Sequence, residues 1–283
     1  MKIFGFLPEK KKEDVKELMP ESSPKSAAKG FNLDMQAFAR RALLLVVAID
    51  TSGSMDGEKI KNANMALRRA VKEVGALCEE QSVDLYFTAV KFDSKASFVT
   101  RMEKYDKNTY QWEDLTTGST TNMAEAIETM CDLKASELEG AVKILSPVAV
   151  LISDGYSTSG SGEMADALKH LNRHPLFRKA IRVPIGIGSK GSDGVYSFDE
   201  PTLMAFGNQN LLLTAENPEE IVSSIIWTTM SASQMSVTPE NATGQSLGET
   251  YKKSLGVMSG SIGGEVSIPK AITGNVPAKK QFV

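Results

Sequence analysis

A chain of 283 residues has room for one or two domains, and its 41% hydrophobic content supports one substantial core with poorer flanks. Its net charge of -3 is spread over interspersed acids and bases, which leaves no broad basic face for nucleic acid. The longest apolar run, Ala42 to Ile49, is less than half of the roughly 20 residues a membrane span needs, and Met1 to Pro8 is too short for a signal-peptide apolar region, so a cytoplasmic chain with no membrane partner is expected.

Residues 1–41 carry Pro8, Pro20 and Pro24 among lysines, glutamates and serines, and read as an N-terminal arm. The pattern changes at Ala42. A continuous apolar strand runs to Ile49, the turn Asp50-Thr51-Ser52-Gly53-Ser54 follows, and Ile60, Ala63, Leu67, Val71, Val74 and Cys78 then recur at helical spacing between Glu58 and Gln81. Val83 to Phe92 reads as a second strand, and Ala96 to Met102 as a third that pairs with it as a hairpin. A loop from Glu103 to Ser119 leads to Thr121, placed to cap a helix over Asn122 to Leu133, and helical periodicity continues from Ser136 to Ile144 before Pro147 stops it. Val148 to Ile152 is a fourth strand, ending at Asp154-Gly155. Then come a helix near Glu163 to Asn172, a fifth strand Ile181 to Ile187, a short helix Glu200 to Phe206, a sixth strand Leu211 to Thr214 and a last helix Pro218 to Met230. Beyond Met230 the composition turns to Ser, Gly, Thr and Pro, which marks residues 231–283 as a C-terminal extension rather than a domain. Cys78 and Cys131 lack a nearby second thiol and read as small buried apolar residues.

Near-continuously apolar strands alternating with helices imply an α/β, doubly wound, mainly parallel sheet of about six strands with helices on both faces, spanning residues 42–230. Such sheets bind ligands at the carboxyl ends of strands where the strand order reverses. In the order 3-2-1-4-5-6 the first and fourth strands are neighbours, so Asp50 and Asp154 would converge there, with Thr121 closing the third side. Asp50, at a strand end, is expected to direct its charge outward. Carboxylates and hydroxyls are hard oxygen ligands of the kind Mg²⁺ and Mn²⁺ prefer.

Asp50-Thr51-Ser52-Gly53-Ser54-Met55, Thr121-Asn122 ahead of Ala124 and Ala126, and Asp154-Gly155 after an apolar strand together resemble the metal-ion-dependent adhesion site of von Willebrand factor type A domains. The resemblance covers about residues 42–230 and implies a Rossmann-like fold and a metal held by Asp50, Ser52, Ser54, Thr121 and Asp154, directly or through water. The departure is Ser119-Thr120, where the family often has two glycines, and it leaves Thr120 beside Thr121 as a hydroxyl to be weighed. Within the family, Pro184-Ile185-Gly186-Ile187-Gly188 and the intracellular character are most similar to bacterial tellurium-resistance proteins of the TerY type.

The resemblance implies a binding module rather than an enzyme. Mg²⁺ or Mn²⁺ would present an open position to an Asp or Glu carboxylate of a protein partner, such as a kinase, a phosphatase or a Ter-type protein in a bacterial stress-resistance or defence system. The alternative is a subunit coupled to an AAA+ ATPase of the chelatase or MoxR kind, and a metal-dependent hydrolase comes third. Each enzyme motif fails at a named residue. A haloacid-dehalogenase phosphatase needs an Asp where Ser52 stands, Gly53 and Gly57 flank Met55 rather than the serine of a nucleophile elbow, and no GxxxxGK[ST] loop exists. Gly186 to Gly191 fits GxGxxG but follows a late strand without an immediate helix, and His170 and His174 lack the HExxH glutamate and read as surface or capping residues.

Overall fold

Strand β1 (Arg41–Asp50) is buried from Ala42 onward. Leu43, Leu45, Val47 and Ile49 enter one hydrophobic layer, while Ala42, Leu44, Val46 and Ala48 enter the other, the two-residue alternation of a strand covered on both faces. The computed structural model describes residues 41–138, 143–237, 247–251 and 268–273, all within the compact unit Ala39–Val283.

The remaining strands are β2 (Val83–Phe92), β3 (Ala96–Lys104), β4 (Lys143–Ile144), β5 (Val148–Ser153), β6 (Ile181–Ile187), β7 (Leu211–Ala215) and β8 (Ala271–Thr273). They form one sheet in the order β3-β2-β1-β5-β6-β7-β8, with β4 pairing β1 off this path. Every pair from β2 across to β7 is parallel, and the outer pairs β2–β3 and β7–β8 are antiparallel. Helices α1 (Glu58–Glu80) and α5 (Pro218–Val237) pack against each other and share the Leu43 layer. Helices α2 (Met123–Cys131), α3 (Ser161–Arg173) and α4 (Glu200–Phe206) cover the Ala42 layer. This is the Rossmann-like doubly wound architecture expected, and the order 3-2-1-4-5-6 of the anticipated strands is kept. The chain leaves β1 towards β2 on one side and leaves β5 towards β6 on the other, so the strand order reverses between β1 and β5.

Four local expectations change. The helix after Thr121 begins at Met123 and is capped by Asn122, whose Oδ1 accepts from Glu125 N at 3.0 Å. Helical periodicity past Ser136 is not realised in the described residues: a single tight turn at Ala135–Glu137 is followed by β4 at Lys143–Ile144, with 139–142 outside the described residues. Helix α5 continues past Met230 to Val237, because Ala232 is fully buried. The extension also reaches the core: Leu247 and Tyr251 are buried, and Ala271–Thr273 adds β8 to the sheet. Residues 1–40 of the expected arm lie outside the described residues. Cys78 and Cys131 are free and buried, and among the described residues no helix is long and apolar enough to cross a membrane.

The extension is therefore expected to carry stability. Leu247 is fully buried, and Tyr251 packs edge-on to Trp227 at 5.7 Å while its hydroxyl donates to Pro269 O at 2.8 Å. Leu247→Ala should cost about 2–5 kcal/mol in denaturant unfolding. A loss within the ~0.5 kcal/mol of a surface substitution would show that this segment does not pack in the core.

Candidate metal centre

Parallel pairing of β1 with β5 sets Asp50 beside the Ser153-Asp154 end of the neighbouring strand. Both carboxylates are completely buried, so the expectation that Asp50 points outward is corrected. Burial is affordable for Asp50 because donors reach both of its oxygens: Ser52 N donates to Oδ1 at 2.8 Å and Ser153 Oγ to Oδ2 at 2.6 Å. Burial still pushes its carboxyl above the usual carboxylate range; the bonds from Ser153 and Ser52 oppose that shift, and the nearby Asp154 charge adds to it. Asp154 is less well provided for. Lys59 Nζ pairs with Oδ2 at 3.0 Å, and Oδ1 is buried with no hydrogen-bond partner.

Three loops are tied together above these carboxylates. Gly118 N donates to Thr51 O at 2.6 Å and Gly53 N to Ser119 O at 2.9 Å, joining the loop after β1 to the segment before α2. Thr121 O accepts from Thr158 N at 2.7 Å and Thr158 Oγ1 at 2.9 Å, joining that segment to the loop after β5. Thr51 serves as a turn residue, its hydroxyl bonding Phe92 O at 3.0 Å, and Met55 is a fully buried plug. The segments carrying Asp50, Ser52, Ser54, Thr121 and Asp154 are thus assembled in one place. Thr121 is buried whereas Thr120 is exposed, and Ser52 is buried with its Oγ 3.0 Å from that of the exposed Ser54. The cluster has a charged floor and a hydroxyl rim that opens outward at Ser54.

Three further side chains support it, those of Ser153, Asn64 and Lys59, none of them evident from the sequence pattern. Ser153 both fixes Asp50 and accepts from Gly155 N at 2.8 Å. Gly155 needs its positive φ of 79°, and a Cβ there would come within 2.7 Å of Asp199 O. Asn64, buried on α1, takes Trp112 Nε1 at 3.1 Å and Leu115 N at 2.8 Å on Oδ1 and donates to Leu115 O at 2.9 Å, anchoring the long loop that delivers Gly118 to Thr121. Lys59 is the third, reaching Ser54 O at 3.1 Å as well as Asp154. Its only sequence signal is its place in the first turn of the helix after the Asp50 loop.

A hard dication fits this donor set. All the available ligand groups are oxygens, two buried carboxylates lie close together, and one carboxylate oxygen has no donor. In sequence, the von Willebrand factor type A domain profile matches residues 45–198. The chain belongs to the von Willebrand factor type A domain family. It is therefore a module of the metal-dependent adhesion type, and domains of this family mediate protein–protein interactions. Among solved structures it is similar to a von Willebrand factor type A protein from Catenulispora acidiphila (16% identity, TM-score 0.49, 68% of this chain and 43% of that one). It is also similar to the conserved hypothetical protein BatB from Bacteroides thetaiotaomicron (13%, TM-score 0.46, 68% and 99%). A third is proximal thread matrix protein 1 from the mussel byssus with a zinc-occupied MIDAS motif (13%, TM-score 0.47, 69% and 46%). The chain spans less than half the length of the first solved structures it resembles. No curated protein matches the sequence.

The competing motifs resolve as structural features. Strand β6 ends at Ile187, inside the glycine run, and a loop with a Lys190–Tyr196 bridge separates it from α4, so no helix N-terminus follows the glycines directly. His174 caps the C-terminal end of α3, and His170 Nδ1 lies 2.6 Å from Glu128 Oε2.

The buried charges make an electrostatic prediction for the metal-free protein. The folded-state pKa of Asp50 is raised, so its contribution to stability is fully present below the unfolded carboxylate value near 4 and is lost as pH rises through the folded value. At neutral pH, in chelator, Asp50→Asn should therefore raise the thermal midpoint, by about 2–4 °C for each kcal/mol relieved. Lys59→Met should do the reverse, costing about 1–3 kcal/mol by leaving Asp154 wholly unpaired. Calorimetric melts of the two variants in chelator check both signs.

Proposed function

We propose that the chain is a divalent-metal-dependent adaptor, in which Asp50, Ser52, Ser54, Thr121 and Asp154 hold Mg²⁺ or Mn²⁺ and a protein partner supplies an Asp or Glu carboxylate. The observation that carries the reading is the unpartnered, fully buried Asp154 Oδ1 beside the Asp50 carboxyl. A buried carboxylate oxygen without a donor is costly, and a hard cation is the partner that removes the cost for both acids at once. When bound, the ion would supply positive charge and a coordination position facing solvent past Ser54. The protein groups around it are held by strand pairing and backbone hydrogen bonds rather than by flexible side chains, which favours tight placement of a ligand over movement during a reaction.

We read the chain as a binding protein and not an enzyme. Ser153, whose hydroxyl bonds Asp50 Oδ2, is fully buried, the hydroxyls of Ser52 and Ser54 face each other, and the histidines of α3 lie elsewhere. The resemblance to TerY-type proteins leads us to place the module in a bacterial stress-resistance or defence system, acting on a kinase, phosphatase or Ter-type partner in the cytoplasm.

Isothermal titration of the purified chain should give one Mg²⁺ or Mn²⁺ equivalent at this site. Asp154→Asn is expected to weaken it at least tenfold, about 1.4 kcal/mol, and the buried Thr121→Ala is expected to weaken it more than the exposed Thr120→Ala. Equal effects of the two threonine variants would move the hydroxyl ligand elsewhere in the loop. Lys59→Met should tighten the metal, because the ammonium now paired with Asp154 no longer competes. Affinity capture from a bacterial lysate, with and without chelator, tests the adaptor reading. A metal-dependent kinase, phosphatase or Ter-type protein supports it, whereas a ring ATPase would move the chain to the AAA+-coupled class. Turnover of a phosphate or acyl ester that disappears in Asp50→Asn would make it an enzyme.

A further inference from the structure

Near the end of α2, away from the adhesion site, three groups of a different chemistry meet. Glu128 and Cys131 are three residues apart and so lie on one face of one helical turn, and α3 packs across α2 and brings His170 to them. His170 Nδ1 is 2.6 Å from Glu128 Oε2, and one ligand atom from each of Glu128, Cys131 and His170 lies within 4.8 Å of the other two. The side chains of Glu128 and His170 are 48% and 53% exposed while Cys131 is buried, so the cluster is open to ions on one side and closed by helix packing on the other. A histidine–glutamate ion pair would account for two of these residues. It does not account for a thiol within reach of both.

We propose that Glu128, Cys131 and His170 form a second metal site, for a borderline dication of the Zn²⁺ class, with solvent water as the fourth ligand. Thiolate, imidazole and carboxylate are the ligand set Zn²⁺ takes, and three protein ligands plus water is its open tetrahedral arrangement. The sulfur discriminates against Mg²⁺ and Mn²⁺, which the all-oxygen site at Asp50 favours. The charges balance: one thiolate and one carboxylate neutralise the dication, His170 binds as neutral imidazole, and the Cys131 thiol gives up its proton to solvent. Burial pushes that thiol up to about 12 in the metal-free protein, so it is the cation that drives its ionisation. The next turn of α3 adds His174, whose ring lies 6.4 Å from that of His170 and whose buried Nδ1 has no hydrogen-bond partner.

The two sites are separate in space and in chemistry. Helix α2 starts at Met123, just past Thr121, and Cys131 stands about 12 Å further along it at a rise of 1.5 Å per residue. An ion there would clamp α2 to α3 behind the segment that presents Thr121.

Co²⁺, a spectroscopic stand-in for Zn²⁺, tests the proposal on the full chain in excess Mg²⁺. One equivalent should bind with tetrahedral d–d bands and a thiolate-to-cobalt charge-transfer band, and Zn²⁺ should displace it. The band should survive in Asp50→Asn and Cys78→Ser, disappear in Cys131→Ser, and require at least tenfold more Co²⁺ in His170→Ala, a half-exposed position where folding is not at risk. Absence of the thiolate band would overturn the proposal. So would a band that persists in Cys131→Ser, one lost with Asp50 or Cys78, or unchanged affinity in His170→Ala.

Discussion

The structure turns on two carboxylates taken out of water at the point where the sheet reverses its winding. Asp50 and Asp154 are far apart in sequence, yet parallel pairing of β1 with β5 makes them neighbours with no exposure at all. Everything around them offsets that cost. Ser52 and Ser153 donate to Asp50, Lys59 reaches back from α1 to Asp154, and what is left over is one oxygen without a partner. That remaining deficit is the kind a bound cation removes, since nothing else in the described fold bonds this oxygen.

Lys59 gives the metal-free site a second physical character. It is an internal counter-cation on a flexible stem, about one-third exposed, next to a carboxylate that is almost wholly enclosed. Such a residue offsets part of the cost of burying Asp154, and under the proposed function an incoming metal would have to displace it. Asn64 acts differently: three hydrogen bonds to Trp112 and Leu115 hold a loop of largely polar residues close enough for its far end to deliver Thr121.

Most of the fold was legible in the sequence because the apolar runs of β1, β5 and β6 are buried on both faces, and burial on both faces leaves an unmistakable pattern. The strand order was the usual doubly wound arrangement applied to those strands, the condition under which Asp50 and Asp154 converge. What stayed hidden shares a physical cause. The orientation of Asp50 depends on Ser153, a residue with no periodicity of its own. Lys59 is indistinguishable by type from any solvated helical lysine. The place of Leu247 and Ala271–Thr273 in the core depends on long-range contacts in a stretch whose local composition is that of a tail. The cap at Asn122 rather than Thr121 was a choice between two adjacent capping residues. It was decided by Ser159 Oγ, which bonds Asn122 Oδ1 at 2.8 Å from another loop.

The two outer pairings bear on how the molecule behaves in a crowded solution. A parallel sheet with bare margins invites another chain to add a strand, and both margins here are finished by antiparallel strands instead. On one side stands β3, bearing Arg101, Glu103 and Lys104, with Arg101 already engaged by Glu137. On the other stands a strand of only three residues, drawn from the chain's last stretch. Among the described residues neither offers a long, uncharged ribbon for templating, which disfavours self-association by strand exchange at both rims.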